Sequence, residues 1–187
     1  MNRLISSLAL CVAGLAASPF ASATDLTFED IQADDFVAAS YGGLDWSHGD
    51  WFAFSAEQAP FAAHSGNVRI TTNFGDTDAN SAIGLGAGKT FQGAWFAGYE
   101  DVSVMFQLYD HGQLVATSAT LATSATPAWL ASGYAGLVDG VIVSSATQGG
   151  FVMDDFTFAA SVPEPASTAL MAAGLLTLAA TAIRRRA

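Results

Sequence analysis

Apolar and polar residues alternate in the middle of this chain, and this period of two restricts the fold more than any other feature. Residues 102–109 read V-S-V-M-F-Q-L-Y, an Asp-His-Gly-Gln turn follows at 110–113, and residues 114–116 are again apolar. This pattern is typical of a β-hairpin, and the pair Asp139-Gly140 between apolar residues predicts a second hairpin. Further strands are predicted at residues 26–31, 67–72, 90–97 and 151–158. Together they predict an all-β domain, an antiparallel β-sandwich of the jelly-roll type.

The first 23 residues have the layout of a secretory signal peptide. Arg3 gives the positive start, residues 4–15 are apolar or small, and Ala21-Ser22-Ala23 precedes Thr24. We expect signal peptidase to cut between Ala23 and Thr24, so that the chain is exported. The alternative is a buried N-terminal helix. Cleavage would also remove Cys11, the single cysteine, and the mature domain would then contain no disulfide bond.

The last 26 residues form a second terminal segment of unusual composition. Residues 168–183 carry no charge, and as a helix they would extend about 24 Å, a short membrane span. Arg184, Arg185 and Arg186 would stay in the cytoplasm under the positive-inside rule, with the domain outside. Pro163 and Pro165 separate this tail from the domain. We therefore predict a single C-terminal transmembrane helix, the alternative being an amphipathic helix packed on the domain.

The order Val162-Pro163-Glu164-Pro165, apolar span and Arg184-Arg185-Arg186 resembles the PEP-CTERM sorting signal of Gram-negative bacteria. The resemblance implies recognition by an exosortase, a membrane protease-transpeptidase, in hosts that usually make exopolysaccharide. It also implies that the arginines hold the precursor in the inner membrane until the tail is processed. The same tail occurs on some ice-binding proteins. The predicted organisation is a signal peptide at 1–23, a β-sandwich at 24–161 and a sorting signal at 162–187.

The domain between these segments is strongly acidic. Of the 6 basic residues only Arg69 and Lys89 fall within residues 24–161, whereas 16 of the 17 acidic residues do, which gives a net charge near −14. Such a charge repels nucleic acid and anionic polysaccharide and favours cations. We therefore expect no nucleic-acid partner.

Acidic residues lie close to the first and last predicted strands. The stretches L-T-F-E-D at 26–30 and F-V-M-D-D-F-T-F at 151–158 resemble the galactose-binding-like jelly rolls of many carbohydrate-binding modules. Those folds pair their first and last strands, and several hold a structural calcium ion there. The resemblance implies Glu29 and Asp155 as Ca²⁺ ligands, with Asp154 a weaker candidate; the alternative is solvated carboxylates at strand ends. The Asp-x-Asp-x-Asn stretch at 76–80 departs from an EF-hand, because Ser81 replaces the turn glycine.

Catalytic motifs are missing from the sequence. It has no Gly-x-Ser-x-Gly elbow, no His-Glu-x-x-His and no phosphate-binding glycine loop. His48, His64 and His111 lie far apart and are interpreted as surface histidines. The pairs Glu100-Asp101 and Asp154-Asp155 cannot flank one glycosidic bond, since neighbours on a strand face opposite ways. We therefore predict a protein that is not an enzyme.

Aromatic residues favour binding instead. Trp46 and Trp51 lie in or beside a Gly-, Ser- and Asp-rich segment and could stack on sugar rings, unless they point into the core. Trp95 and Phe91 are predicted to be core residues. Ice binding is disfavoured because the threonines near 117–126 fall three apart and would alternate between faces. The sequence favours a surface or matrix protein that contacts exopolysaccharide; the alternative is a purely structural or adhesive protein.

Overall fold

The computed structural model of the protein describes residues 22–32, 34–72, 80–145 and 150–160, together with Gly174. Every strand pairing in this part of the chain is antiparallel. The predicted signal peptide up to Ala21 and the predicted sorting tail lie outside the described residues, apart from Gly174. The strands are β1 (Ala23–Leu26), β2 (Asp35–Phe36), β3 (Trp51–Phe54), β4 (Arg69–Thr72), β5 (Asn80–Gly98), β6 (Ser103–Asp110), β7 (Gln113–Thr117), β8 (Leu121–Ala122), β9 (Ala128–Ala131), β10 (Val138–Ser145) and β11 (Phe151–Ala160).

The sheet curls into two facing layers around one core. Its main strand order is β2-β3-β4-β11-β5-β10-β6-β7, with β1 added to β11, β8 to β6 and β9 to β5. Ile70 of β4 and Phe106 of β6 come from distant positions in this order, yet both belong to the same buried cluster. A flat sheet could not bring them together, so the two halves of the sheet must face each other. The predicted antiparallel β-sandwich is confirmed.

The core is built from inward-facing residues of nearly every strand. Aromatic rings fill its centre, with Phe91 meeting Phe106 at 4.7 Å edge to face and Phe156 at 4.6 Å stacked. Burying a large aromatic side chain removes roughly 150 to 250 Å² of surface from water, so such rings dominate the stability of a small domain. The first and last strands pair through Thr24 with Phe158 and Leu26 with Phe156, as expected for this kind of sandwich.

The hairpin predicted at residues 110–113 is present. Asp110 pairs with Gln113, and the two central residues, His111 and Gly112, have φ angles of 51° and 74°. Positive φ at both central positions defines the type I′ turn, whose twist matches that of the flanking strands. The second predicted hairpin is wrong, because β10 runs through Asp139 and Gly140 without turning. Its register shifts between Val138 and Gly140, so the Asp-Gly pair marks an irregularity within a strand.

The strand predicted at residues 26–31 is also placed differently. The observed strand β1 ends at Leu26. The chain then turns, since Phe28 has a φ of 61° and its carbonyl oxygen accepts a hydrogen bond from the Ile31 amide. The Phe28 ring is fully buried, so the apolar residues of this stretch pack into the core from a turn.

Candidate functional site

The two tryptophans proposed as sugar-stacking residues are buried. Trp46 is 2% exposed and Trp51 is 1% exposed, and their rings meet edge to face at 6.0 Å. The segment before Trp46 folds back over the core through a short 3-10 turn, Tyr41–Gly43, and the Tyr41 carbonyl accepts a 2.9 Å hydrogen bond from Trp46 Nε1. Their assignment as ligand-binding residues is therefore wrong, because neither indole presents a face to solvent.

The opposite correction applies to Trp95, which lies on the outer face of the sheet. In the β5–β11 pair, Trp95 lies opposite Asp154, Gly93 opposite Thr157, and Phe91 opposite Phe158. These spacings differ between the strands, so the register shifts on both sides of Thr157. One extra residue reverses the face that the following side chains occupy. Phe91 therefore points into the core as predicted, whereas Trp95 is only half-buried.

A second outer tryptophan lies beside Trp95 on a strand that the sequence patterns did not predict. Trp129 of β9 pairs with Trp95, and the two ring centroids are 5.9 Å apart. The Trp129 side chain is 38% exposed, although an indole of this size is usually covered. Two indoles thus lie side by side on the outer face of the domain, and that of Trp129 is partly exposed to solvent.

His64 completes this aromatic arrangement from the loop that precedes β4. Its imidazole lies flat on Trp95, with centroids 3.5 Å apart and planes 9° apart. Asp155 fixes the ring through a 2.5 Å contact between His64 Nδ1 and Asp155 Oδ2, and Asp155 Oδ1 accepts a 2.7 Å hydrogen bond from Ser65 Oγ. Asp155 itself has a φ of 47°, at the irregular part of β11. His64 is therefore a positioned ring, in contrast to the isolated surface histidine expected from the sequence.

Asp154, the neighbour of Asp155, holds the backbone of the same loop. Its Oδ2 accepts hydrogen bonds from the amides of His64 at 2.8 Å and Ser65 at 2.9 Å, and its side chain is buried. Burial disfavours the charged form and raises the pKa of Asp154 to about 6, although the backbone hydrogen bonds act in the opposite direction. At neutral pH the carboxylate is therefore mostly ionised.

These residues surround a groove of about 450 Å³ on the outer face, called here the Trp groove. Its floor crosses four adjacent strands in the order β9, β5, β11 and β1. Its lining combines aromatic rings with carboxylate, amide and hydroxyl groups. The groove is lined by Ala23, Asp25, His64, Gln92, Trp95, Trp129, Asp155 and Thr157.

The predicted calcium ligands all contact the loop that carries His64. Glu29 Oε1 accepts hydrogen bonds from the amides of Asn67 at 2.9 Å and Val68 at 2.6 Å, while Asp154 and Asp155 hold residues 64 and 65. The three carboxylates thus anchor one loop, an arrangement that no sequence pattern indicated. Calcium binding by them stays a prediction, and an ion would have to share or replace these hydrogen bonds.

Another group of possible metal ligands lies at the β6–β7 turn. In the part of the chain that the structure describes, ligand atoms of Asp110, His111 and Asp139 all lie within 4.8 Å of one another. Asp139 Oδ2 already accepts a hydrogen bond from the His111 amide. Most of the acidic stretch at 76–80 lies outside the described residues.

Comparison with known proteins identifies the C-terminal segment. Residues 161–186 match the family model of the PEP-CTERM protein-sorting motif. The chain carries a PEP-CTERM sorting motif. This confirms the resemblance seen in Val162-Pro163-Glu164-Pro165 and the terminal arginines, and it indicates export across the inner membrane to the cell envelope or surface. The predicted transmembrane helix is not among the described residues, where no helix is long and apolar enough to cross a membrane.

Comparison of the β domain gives remote similarities. The structure is similar to that of TmCBM61 in complex with β-1,4-galactotriose, with 17% identity and a TM-score of 0.39, over 68% of this chain and 99% of that one. It is also similar to a variant of CBM29-2, a family 29 carbohydrate-binding module, in complex with mannohexaose, with 9% identity and a TM-score of 0.41, over 76% and 94% of the two chains. No curated protein matches the chain.

Proposed function

We propose that the PEP-CTERM chain is an exosortase-processed protein of the cell surface or extracellular matrix whose β domain binds exopolysaccharide in the Trp groove without acting as an enzyme. Its partners would be signal peptidase and exosortase during export, the inner membrane transiently through the C-terminal segment, and a glycan afterwards. The observation that carries the glycan proposal is the exposed indole of Trp129 beside the Trp95–His64 stack.

The groove combines the two kinds of contact that sugar rings require. The apolar C–H face of a pyranose can stack on an indole, and its hydroxyl groups need hydrogen-bond partners in order to leave water without a large cost. Gln92, Thr157 and Asp25 line the same groove and supply amide, hydroxyl and carboxylate groups. Because the site is built mainly on paired strands, little side-chain or loop ordering should be needed on binding.

The carboxylates of the groove support a binding role more than a catalytic one. Both Asp155 oxygens already have partners, His64 and Ser65, and Asp154 is buried behind the loop. A glycosidase needs one carboxyl group to donate a proton and a second to act as base or nucleophile, both facing the scissile bond. Asp25 is the remaining carboxylate that lines the groove.

The test is a glycan array probed with the purified full-length chain, kept in a detergent that has no sugar headgroup. We expect binding to a subset of neutral oligosaccharides, and we expect Trp129→Ala to weaken it about tenfold or more, as for a central aromatic contact. Phe36→Ala is the matched control, because Phe36 is also an exposed aromatic residue, at 59%, but does not line the groove.

Three results would contradict the proposal. Equal losses in the Trp129→Ala and Phe36→Ala variants would show that the groove is not the site, and silence of the whole array would favour a purely structural or adhesive surface protein. Release of new reducing ends from a bound glycan would make the protein an enzyme. Repeating the array with calcium and with a chelator also tests the predicted calcium site, since a structural ion there should alter binding or melting temperature.

A further inference from the structure

The two carboxylates that line the Trp groove, Asp155 and Asp25, differ in whether a neighbouring group balances their charge. Asp155 is paired with His64 across 2.5 Å, so its charge has a local partner whenever the imidazole is protonated. Asp25 on β1 is exposed, and its Oδ1 is fixed by a 2.6 Å hydrogen bond from Thr157 Oγ1. Within the described residues no basic side chain lies within ion-pair distance of Asp25. Asp25 therefore offers an oriented, uncompensated carboxylate to whatever fills the groove.

Among the described residues, no arginine or lysine is available to balance an anionic ligand in the groove. Arg69 and Lys89 are the only arginine and lysine among the described residues. The Arg69 side chain is 3% exposed and donates to the carbonyl oxygens of Phe61 at 2.8 Å, Asn67 at 3.0 Å and Ala56 at 2.5 Å. Lys89 Nζ donates to the Leu85 carbonyl. Neither residue lines the groove, and the basic side chain that does, His64, is already paired with Asp155, so a uronate or sulfate group would meet net negative charge.

We infer that the Trp groove selects glycans with free amino groups, such as oligomers of deacetylated hexosamine, over their N-acetylated and uronic-acid counterparts. This inference rests on the proposed function. An ammonium group on the sugar would donate a charge-assisted hydrogen bond to Asp25, which is stronger than the bond a hydroxyl group makes. Cations also interact favourably with the face of an indole, and Trp95 and Trp129 both lie in this groove.

The experiment measures the affinities of three oligomers of equal length by calorimetry, in slightly acidic buffer at low salt. The three are glucosamine, N-acetylglucosamine and uronic-acid oligomers, and the protein is the full-length chain in the same detergent as above. We expect the amino form to bind about fivefold more tightly than the acetylated form, with no measurable binding of the uronic acid. Added salt should reduce the difference, because it screens exposed charges.

The matched variants are Asp25→Asn and Glu100→Gln. Asp25→Asn keeps an oxygen that can accept the Thr157 hydrogen bond but removes the charge, so the preference for the amino form over the acetylated form should fall about threefold. Glu100→Gln removes one exposed charge outside the groove and should leave the preference intact. We expect a weaker preference for protein recovered after export, because the α-ammonium group of a new N-terminus at Thr24 would lie beside Asp25 and offset part of its charge.

The outcomes separate this inference from the proposed function. Equal affinity for amino and acetylated forms, still lost in Trp129→Ala, would overturn the selectivity and keep the glycan site. An equal loss of preference in Glu100→Gln and Asp25→Asn would also overturn it, because the overall charge of the domain would then be the cause. Binding of none of the three oligomers, together with a silent array, would overturn the proposed function itself.

Discussion

The two pairs of neighbouring tryptophans in this domain differ in burial: one pair lies in the core and the other borders the outer groove. Trp46 lies in a loop and Trp51 is the first residue of β3, and both are almost completely buried, at 2% and 1% exposure. Trp95 and Trp129 come from paired strands and border an open groove, with Trp129 38% exposed. Loop composition therefore did not indicate exposure here, and strand alternation did not indicate burial.

Register explains the difference between these pairs. A strand with one hydrogen-bonded register keeps alternate residues on one face, but a bulge moves every later residue to the other face. The register shifts around Thr157 separate the inward Phe91 from the outward Trp95. In the Tyr41–Gly43 turn no strand pairing fixes which way the side chains point. Burial of apolar surface decides the direction there, and the indole of Trp46 turns inward.

The largest expected difference between the buried and the outer tryptophans is in their contribution to stability. Trp46→Ala should lower the free energy of unfolding by about 3 to 5 kcal/mol, because it removes a buried indole that packs on Phe28, Trp51 and Phe156. Trp129→Ala should cost about 1 kcal/mol or less, since part of that ring is already in water. Urea unfolding of both variants measures the contrast.

Trp46→Phe serves as the second variant if Trp46→Ala does not fold. It keeps an aromatic ring and loses the hydrogen bond to the Tyr41 carbonyl, so the loss should be smaller than for alanine. Equal destabilisation by Trp46→Ala and Trp129→Ala would show that the inner and outer pairs do not differ as the structure indicates.

The next effect concerns Asp154, which anchors the loop of the outer site. Its pKa is about 6 in the folded protein, above the ordinary value of 3.8, and burial is the main cause. A raised carboxyl pKa means that folding favours the protonated form, so its contribution to stability is fully present below pH 3.8 and is lost as pH rises to about 6. At about 1.4 kcal/mol per pKa unit the loss is up to about 3 kcal/mol.

The measurement compares wild type with Asp154→Asn by urea unfolding at several pH values. The asparagine has no charge to titrate, so the wild type should lose stability relative to the variant between pH 3.8 and about 6, and the difference should then level off. Subtracting the variant removes the contribution of the other acidic residues. A constant difference between wild type and Asp154→Asn would contradict the raised pKa.

Much of the fold could be predicted from the sequence, because it rests on local rules. The alternation at 102–109 and the His111-Gly112 turn each act over a few residues, and both were predicted correctly. The sorting motif is also a linear signal. The misplaced second hairpin shows the limit, since Gly140 does not take a positive φ angle and the Asp-Gly pair stays within β10.

The candidate site was harder to predict because it depends on pairings between distant segments. Trp129 follows Pro127 in a run of small residues that shows no alternation, and its position becomes clear only when β9 pairs with β5. His64 reaches Trp95 because Asp155, 91 residues later, holds its ring. A large aromatic residue isolated among alanine, serine and threonine was the one available signal for Trp129.

The smallest of these effects concerns Gly93, which lies where the alternate side chains of β5 change from one face of the sheet to the other. Gly93 has a φ of 150°, a backbone conformation that residues with a side chain rarely adopt. A Cβ there would also collide with the Leu130 carbonyl oxygen and the Trp129 ring. Gly93→Ala should therefore cost about 2 kcal/mol and push β9 away from β5. Because Trp129 is carried by β9, glycan binding should fall together with stability.

Gly133→Ala is the matched control, since Gly133 has a φ of 71° but open space around its missing Cβ, and it should lose stability without losing binding. Unimpaired binding in a destabilised Gly93→Ala variant would mean that the close β5–β9 contact does not shape the groove.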